Sequence, residues 1–129
     1  MLRILIVDDY PGLIELYDLG LRARGFEVVG AANVGEAMTL AATQPFDAVV
    51  LDMQLPDGSG PDLLKRLRNL PSLEGKPVIG MSSFEGRDTP APLDNFQFDA
   101  FLTKPLHPKK LAATLRRLLL ANERKLAIA

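Results

Sequence analysis

The 129-residue chain has the length of one domain, and 47% of its residues are hydrophobic, enough to form a single buried core. A formal net charge of −1 argues against nucleic-acid binding through a broad basic surface, and the lack of cysteine excludes disulfides, thiolate catalysis and zinc–sulfur sites. We find neither a signal-peptide pattern nor an apolar run near the ~20 residues that cross a bilayer, and we therefore expect a cytoplasmic protein.

Five short hydrophobic runs, each bounded by turn-forming residues, predict buried strands. They cover residues 2–7, 26–31, 48–51, 78–81 and 99–102. Apolar spacing and helix-end signals predict helices over 11–24, 33–44 and 108–123, and an amphipathic helix beyond the 58–60 turn with leucines at 63, 64, 67 and 70. A weaker fourth helical region precedes the last strand. This alternation predicts an α/β, doubly wound, flavodoxin-like fold with a five-stranded parallel sheet in the order 2-1-3-4-5.

Polar residues stand at the C-terminal ends of four of the predicted strands. Asp8 and Asp9 follow the first strand, and Asp52 follows the third. Ser82 and Lys104 follow the fourth and fifth strands. Because the carboxyl ends of parallel strands meet at one edge of a sheet, we expect three carboxylates to lie together beside a hydroxyl and an ammonium group. Taken alone, Asp52 would serve equally well as a turn cap.

This predicted set of groups suits phosphoryl chemistry. Neighbouring carboxylates repel each other, and a hard divalent cation relieves the repulsion. Mg²⁺ prefers one or two carboxylates together with waters and phosphate oxygens. A carboxylate is itself able to act as a nucleophile and form an aspartyl phosphate, with Lys104 neutralising part of the charge.

Four segments resemble those of response regulator receiver domains, the phosphoacceptor modules of two-component signalling: ILIVDD, VVLDMQLPDGSG, PVIGMSS and FLTKPL. The resemblance implies that Asp52 is the phosphoacceptor. It also implies an Mg²⁺ site formed by the side chains of Asp9 and Asp52 and the backbone carbonyl of Gln54. Asp8 would act on the metal mostly through bound water.

The same resemblance implies roles for residues on the fourth and fifth strands. Ser82 would hydrogen-bond phosphoryl oxygens after modification, and Lys104 would pair with another of these oxygens. Phe101 matches the aromatic residue that moves inward when such domains switch, although an ordinary core aromatic remains an equal alternative. A cis peptide is expected before Pro105.

The chain departs from the family pattern in its fourth helical region. Pro90 and Pro92 interrupt that region, so we expect a short or distorted helix between residues 85 and 96. The ring of Phe84 is expected to shield the phosphoryl group from water. We assign residues 1–122 to the receiver domain and 123–129 to a C-terminal tail or linker stub.

Three functions remain open at this point. In the first, a sensor histidine kinase or a histidine phosphotransfer protein phosphorylates the domain, which then binds a downstream protein; it is not an enzyme and binds neither nucleic acid nor membrane. The second is an aspartate-nucleophile phosphatase. That class requires a second acid two residues after the nucleophile, where this chain has Gln54. The third is a degenerate receiver that binds proteins without being phosphorylated.

Overall fold

A computed structural model describes residues 1–82, 98–104 and 106–128, with side chains described up to residue 122. The described strands are β1 (Leu2–Val7), β2 (Phe26–Ala31), β3 (Ala48–Asp52), β4 (Gln54–Leu55), β5 (Gly58–Ser59), β6 (Val78–Ser82) and β7 (Ala100–Thr103). The described helices are α1 (Pro11–Arg22), α2 (Val34–Thr43), α3 (Gly60–Arg68) and α4 (Pro108–Ile128), with a 3₁₀ turn at Pro71–Leu73.

The main sheet is parallel and has the strand order β2-β1-β3-β6-β7. Because β4 and β5 lie outside this sheet, its members are the first to fifth predicted strands, and the predicted order 2-1-3-4-5 is confirmed. β1 and β3 are neighbours in register, with Val7 beside Leu51. The chain segments that follow these two strands therefore emerge side by side.

Local sequence signals account for the helix starts. Pro11 occupies the first turn of α1, where its missing N–H is not needed. Asn33 caps α2 by accepting a hydrogen bond from the backbone N–H of Glu36 at 2.8 Å. Ser59 caps α3 by accepting one from the N–H of Asp62 at 3.2 Å. These residues therefore fix where α1, α2 and α3 begin.

Hydrophobic side chains fill both sides of the sheet, as a doubly wound fold requires. One core cluster joins the sheet to α1 and α4 through residues such as Tyr17, Leu21 and Leu111. The other joins it to α2 and α3 through residues such as Ala37 and Leu63. β1 contributes to both clusters because its successive side chains point to opposite faces.

Two details of the predicted elements were wrong. A two-residue antiparallel hairpin, β4 with β5, follows Asp52 where only a turn was expected, and α3 begins directly after it at Gly60, which was assigned to that turn. α4 continues to Ile128 beyond the expected end near residue 123, because no glycine or proline interrupts the sequence there.

Some predictions lie outside the described residues. These are the distorted fourth helix, the cis peptide before Pro105 and the shielding role of Phe84. The division at residue 122 stays a prediction. In the described part of the chain, no helix is both long and apolar enough to span a membrane.

Candidate functional site

Three carboxylates meet at the C-terminal edge of the sheet, as their positions in the sequence predict. Asp8 and Asp9 directly follow β1, and Asp52 is the last residue of the neighbouring β3. Each offers an oxygen atom within 4.8 Å of the others. Asp8 is fully buried, whereas Asp9 is exposed and the side chain of Asp52 is 13% exposed. The cluster therefore opens to solvent on the side of Asp9 and Asp52.

Lys104 brings a positive charge into this cluster from the end of β7. Its Nζ donates to Asp8 Oδ2 at 2.6 Å and to Asp52 Oδ2 at 2.8 Å. Burial acts to lower the pKa of Lys104, but the hydrogen bonds and charges of Asp52 and Asp8 act to raise it and prevail, so it lies above its usual value of 10.5. Lys104 is therefore charged throughout the neutral pH range.

Ser82 lies on β6, which pairs with the strand of Asp52, and Phe101 lies on β7, one strand further out. Ser82 ends β6 and is buried, and its carbonyl accepts a hydrogen bond from the backbone N–H of Lys104 at 2.7 Å. Phe101 is partly buried on β7, directly opposite Gly80 of β6. A Cβ on Gly80 would lie 2.9 Å from two carbons of the Phe101 ring, so this ring occupies space that only glycine leaves free.

The open side of the cluster is a cleft of about 340 Å³. Its walls are formed by Asp9, Asp52, Met53, Gln54, Leu55, Pro56 and Lys104. The cleft is thus one small solvent-accessible space that is faced by two acids, the lysine and the residues after β3. It is large enough for a phosphoryl group and a hydrated cation.

The hairpin after Asp52 shapes this cleft by turning the chain back sharply. The N–H of Gly60 donates to the carbonyl of Met53 at 2.9 Å. A Cβ on Gly60 would lie 2.7 Å from the backbone oxygen of Asp52, closer than such atoms approach in proteins. Glycine is therefore required at residue 60 for the loop to pass this close to the end of β3.

Asp57, which stands between the turn-forming residues Pro56 and Gly58, joins this loop to α2. Its carboxylate accepts hydrogen bonds from the backbone N–H groups of Val34 at 2.7 Å and Gly35 at 3.0 Å. The bond from Val34, together with that from Gly35, holds the pKa of Asp57 below its usual value of 3.8. A helix N-terminus favours a negative charge, so this contact fixes the cleft loop against the helix.

The donor atoms at the site fit a hard divalent cation. Three carboxylates provide oxygen ligands at one point, and Mg²⁺ binds such oxygens while retaining several waters. Exposure of Asp9 and Asp52 toward the cleft leaves room for waters and for phosphate oxygens. Lys104 neutralises only part of the negative charge of the three acids.

A family model for the response regulator receiver domain matches residues 4–116. The chain belongs to this family. Response regulator protein PilR of Pseudomonas aeruginosa is 38% identical to the receiver domain over 120 residues, which cover 90% of this chain and 26% of PilR. The probable transcriptional regulatory protein TcrX of Mycobacterium tuberculosis is 34% identical over 116 residues, which cover 90% of this chain and 49% of TcrX.

Solved structures agree with this assignment. A CheY-like response regulator receiver domain protein from Methanospirillum hungatei superposes on the receiver domain with a TM-score of 0.83 and 28% identity, covering 97% of this chain and 98% of that one. The predicted family and fold are thus confirmed. The receiver domain spans about a quarter of the length of PilR and about half that of TcrX.

Proposed function

We propose that Asp52 of this receiver domain accepts a phosphoryl group from a sensor histidine kinase or a histidine phosphotransfer protein. The main support is the position of the Lys104 ammonium, which bridges Asp8 and Asp52 at the mouth of the acidic cleft. In the reaction, an oxygen of Asp52 forms a bond to phosphorus while the bond from phosphorus to the donor imidazole breaks. The product is an aspartyl phosphate and a free histidine.

The proposal assigns the acidic cluster to a magnesium site. Asp9 and Asp52, with the backbone carbonyl of Gln54, would hold Mg²⁺, and Asp8 would act through a bound water. When bound, the metal supplies charge neutralisation for the phosphoryl group. Lys104 shares this task, because its ammonium group already reaches the carboxylate that is to be modified.

We favour a phosphoacceptor over a hydrolytic enzyme. Gln54 occupies the position two residues after the nucleophile, and an amide is not able to protonate a leaving group as a carboxylic acid does. The close approach of Asp8, Asp52 and Lys104 weighs against a degenerate module that works without phosphorylation. Several points stay predictions. They are the kinase partner, the downstream protein partner, the lack of nucleic-acid and membrane binding, and a cytoplasmic location.

Trapping with beryllium fluoride tests the proposed function. Mg²⁺ should raise the free energy of unfolding by about 2.7 kcal/mol at a concentration 100 times its dissociation constant. Beryllium fluoride, which imitates the phosphoryl group of an aspartyl phosphate, should raise it further when Mg²⁺ is present. Thermal unfolding measures both shifts, with fluoride and Mg²⁺ without beryllium as the control. Lack of response to Mg²⁺ and beryllium fluoride would favour a degenerate module, and turnover of phosphate esters would favour a hydrolase.

We further propose that Ser82 and Phe101 form the switch. Ser82 would bind the phosphoryl oxygens, and the ring of Phe101 would move inward with it. Their positions on adjacent strands, with the Phe101 ring packed directly against Gly80, are the structural support.

A tryptophan in place of Phe101 provides a test of this switch, because the chain contains no other tryptophan. Beryllium fluoride with Mg²⁺ should shift the emission of Phe101→Trp to shorter wavelength as the indole becomes more buried. Phe46→Trp is the control, since Phe46 is a buried ring before β3 that stacks on Arg3, 5.1 Å from its guanidinium carbon. An unchanged spectrum at residue 101, or equal shifts in both variants, would contradict the proposed movement.

A further inference from the structure

The β4–β5 hairpin forms most of one wall of the cleft. Four of the residues that line the cleft lie on β4 or next to it: Met53, Gln54, Leu55 and Pro56. The backbone carbonyl of Gln54 is also the third protein ligand of the magnesium site proposed above. Each strand of this hairpin has only two residues, and an isolated hairpin is marginally stable at best in water. The shape of the wall therefore depends on what the hairpin is attached to.

The base of the hairpin is attached to β3 and α3. The N–H of Gly60 donates to the carbonyl of Met53 at 2.9 Å, and the side chain of Ser59 accepts a hydrogen bond from the N–H of Asp62 at 3.2 Å. Both contacts lie at the end of the hairpin where the chain enters and leaves it. They therefore give no direct support to the tip, where Asp57 is located.

The tip of the hairpin is attached to the first turn of α2. Asp57 directly follows Pro56 in the turn, and its carboxylate accepts hydrogen bonds from the N–H groups of Val34 at 2.7 Å and Gly35 at 3.0 Å. Gly58 packs beside these bonds, since a Cβ at that residue would lie 3.1 Å from Cγ2 of Val34. Two hydrogen bonds to one carboxylate and a van der Waals contact thus join the hairpin tip to α2.

This contact is not the usual cap of α2, which the helix already has in Asn33. The side chain of Asn33 accepts a hydrogen bond from the N–H of Glu36 at 2.8 Å. Gly35 is exposed, so water is able to satisfy its N–H when no side chain does. Asp57 is also exposed, and its loss would leave no cavity in the core. The contact therefore matters more for the position of the hairpin than for the formation of α2.

We propose that Asp57 is a positioning residue for the magnesium site. By fixing the hairpin tip to α2, its carboxylate keeps the Gln54 carbonyl where a cation held by Asp9 and Asp52 requires it. The inference rests on the function proposed above, because the position of this carbonyl matters only if a metal binds there. Groups that orient metal ligands typically change metal affinity by about 10- to 100-fold. Since Asp57 acts through the intervening chain, we expect an effect of about three- to tenfold.

Asp57→Ala tests the inference in the full chain. The dissociation constant for Mg²⁺, measured by titration calorimetry without a phosphoryl donor, should rise about three- to tenfold. With acetyl phosphate as donor, the Mg²⁺ concentration that gives half-maximal phosphorylation of Asp52 should rise by the same factor. The rate at saturating Mg²⁺ should stay near that of the wild type, because Asp52 and Lys104 are intact. Asp57→Asn retains one acceptor oxygen and should restore part of the affinity.

Asn33→Ala is the matched control, because it removes the cap of the same helix end and leaves the hydrogen bonds of Asp57 in place. It should lower the free energy of unfolding but keep the Mg²⁺ affinity of the wild type. Wild-type affinity in Asp57→Ala would overturn the positioning role, as would equal losses of affinity in the two variants.

The two measurements separate this inference from the proposed function. A wild type that binds Mg²⁺ but is not phosphorylated would contradict the proposed function, and the comparison of Mg²⁺ affinities would still decide the role of Asp57. A wild type that is phosphorylated while Asp57→Ala keeps full affinity would contradict the positioning role alone. If the wild type binds no Mg²⁺, both fail.

Discussion

Asp52→Ala is expected to abolish labelling of the protein by acyl phosphates, a fall of about a thousandfold or more in rate. Lys104 donates to both Asp8 and Asp52, and of these two acids only Asp52 lines the cleft. The nucleophile must meet the phosphorus atom in the cleft while its negative charge is partly neutralised, and Asp52 satisfies both conditions. The measurement is incorporation of phosphate from labelled acetyl phosphate in the presence of Mg²⁺.

Two further variants separate loss of the nucleophile from loss of the fold. Asp52→Asn keeps the size and much of the hydrogen bonding of Asp52 but removes the nucleophilic carboxylate, so it should remain folded and unlabelled. Asp62→Asn changes an exposed acid in the first turn of α3 and should be labelled like the wild type. Labelling of Asp52→Asn at the wild-type rate would show that another residue is the phosphoacceptor.

Much of the site followed from the sequence because strand ends are the best-determined points of a parallel sheet. The run before Asp52 and the run before Asp8 were recognisable as buried strands, and the topological rule made them neighbours. No further information was needed to place the two acids together. The contact of Lys104 with Asp8 joins residues 96 positions apart, and the same rule accounts for it once the fifth strand is recognised.

The parts that the sequence did not reveal depend on contacts between elements. The β4–β5 hairpin has two residues per strand, too few to show a period of two. The sequence around Asp57 indicates only a turn, because its hydrogen bond to the N–H of Val34 joins residues that are 23 positions apart. Tyr17 has the same helical spacing as the leucines around it, and nothing in that pattern indicates that its hydroxyl is buried without a hydrogen-bond partner among the described residues.

Lys104→Met is expected to lower the free energy of unfolding by about 3 kcal/mol in magnesium-free buffer. The side chains of Asp8, Asp52 and Lys104 are 0%, 13% and 18% exposed, so water compensates poorly for the lost ammonium. Added Mg²⁺ should restore part of the loss, because a cation among the acids replaces the missing charge. Lys109→Met, at an exposed lysine of α4, should stay within about 0.5 kcal/mol of the wild type.

The pH dependence of this difference provides an independent check. The pKa of Lys104 is raised above 10.5, so the ion pair contributes fully below that pH and is lost as the pH rises through the higher value. The stability gap between wild type and Lys104→Met should therefore be constant near neutral pH and shrink in alkali above about 10.5. Tyr17 also titrates in alkali, and although burial raises its pKa, the charge of Lys104 lowers it, so the same comparison is made in a Tyr17→Phe background that removes this coupled group. A gap that is absent at neutral pH, or that widens in alkali, would contradict the role assigned to the Lys104 ammonium.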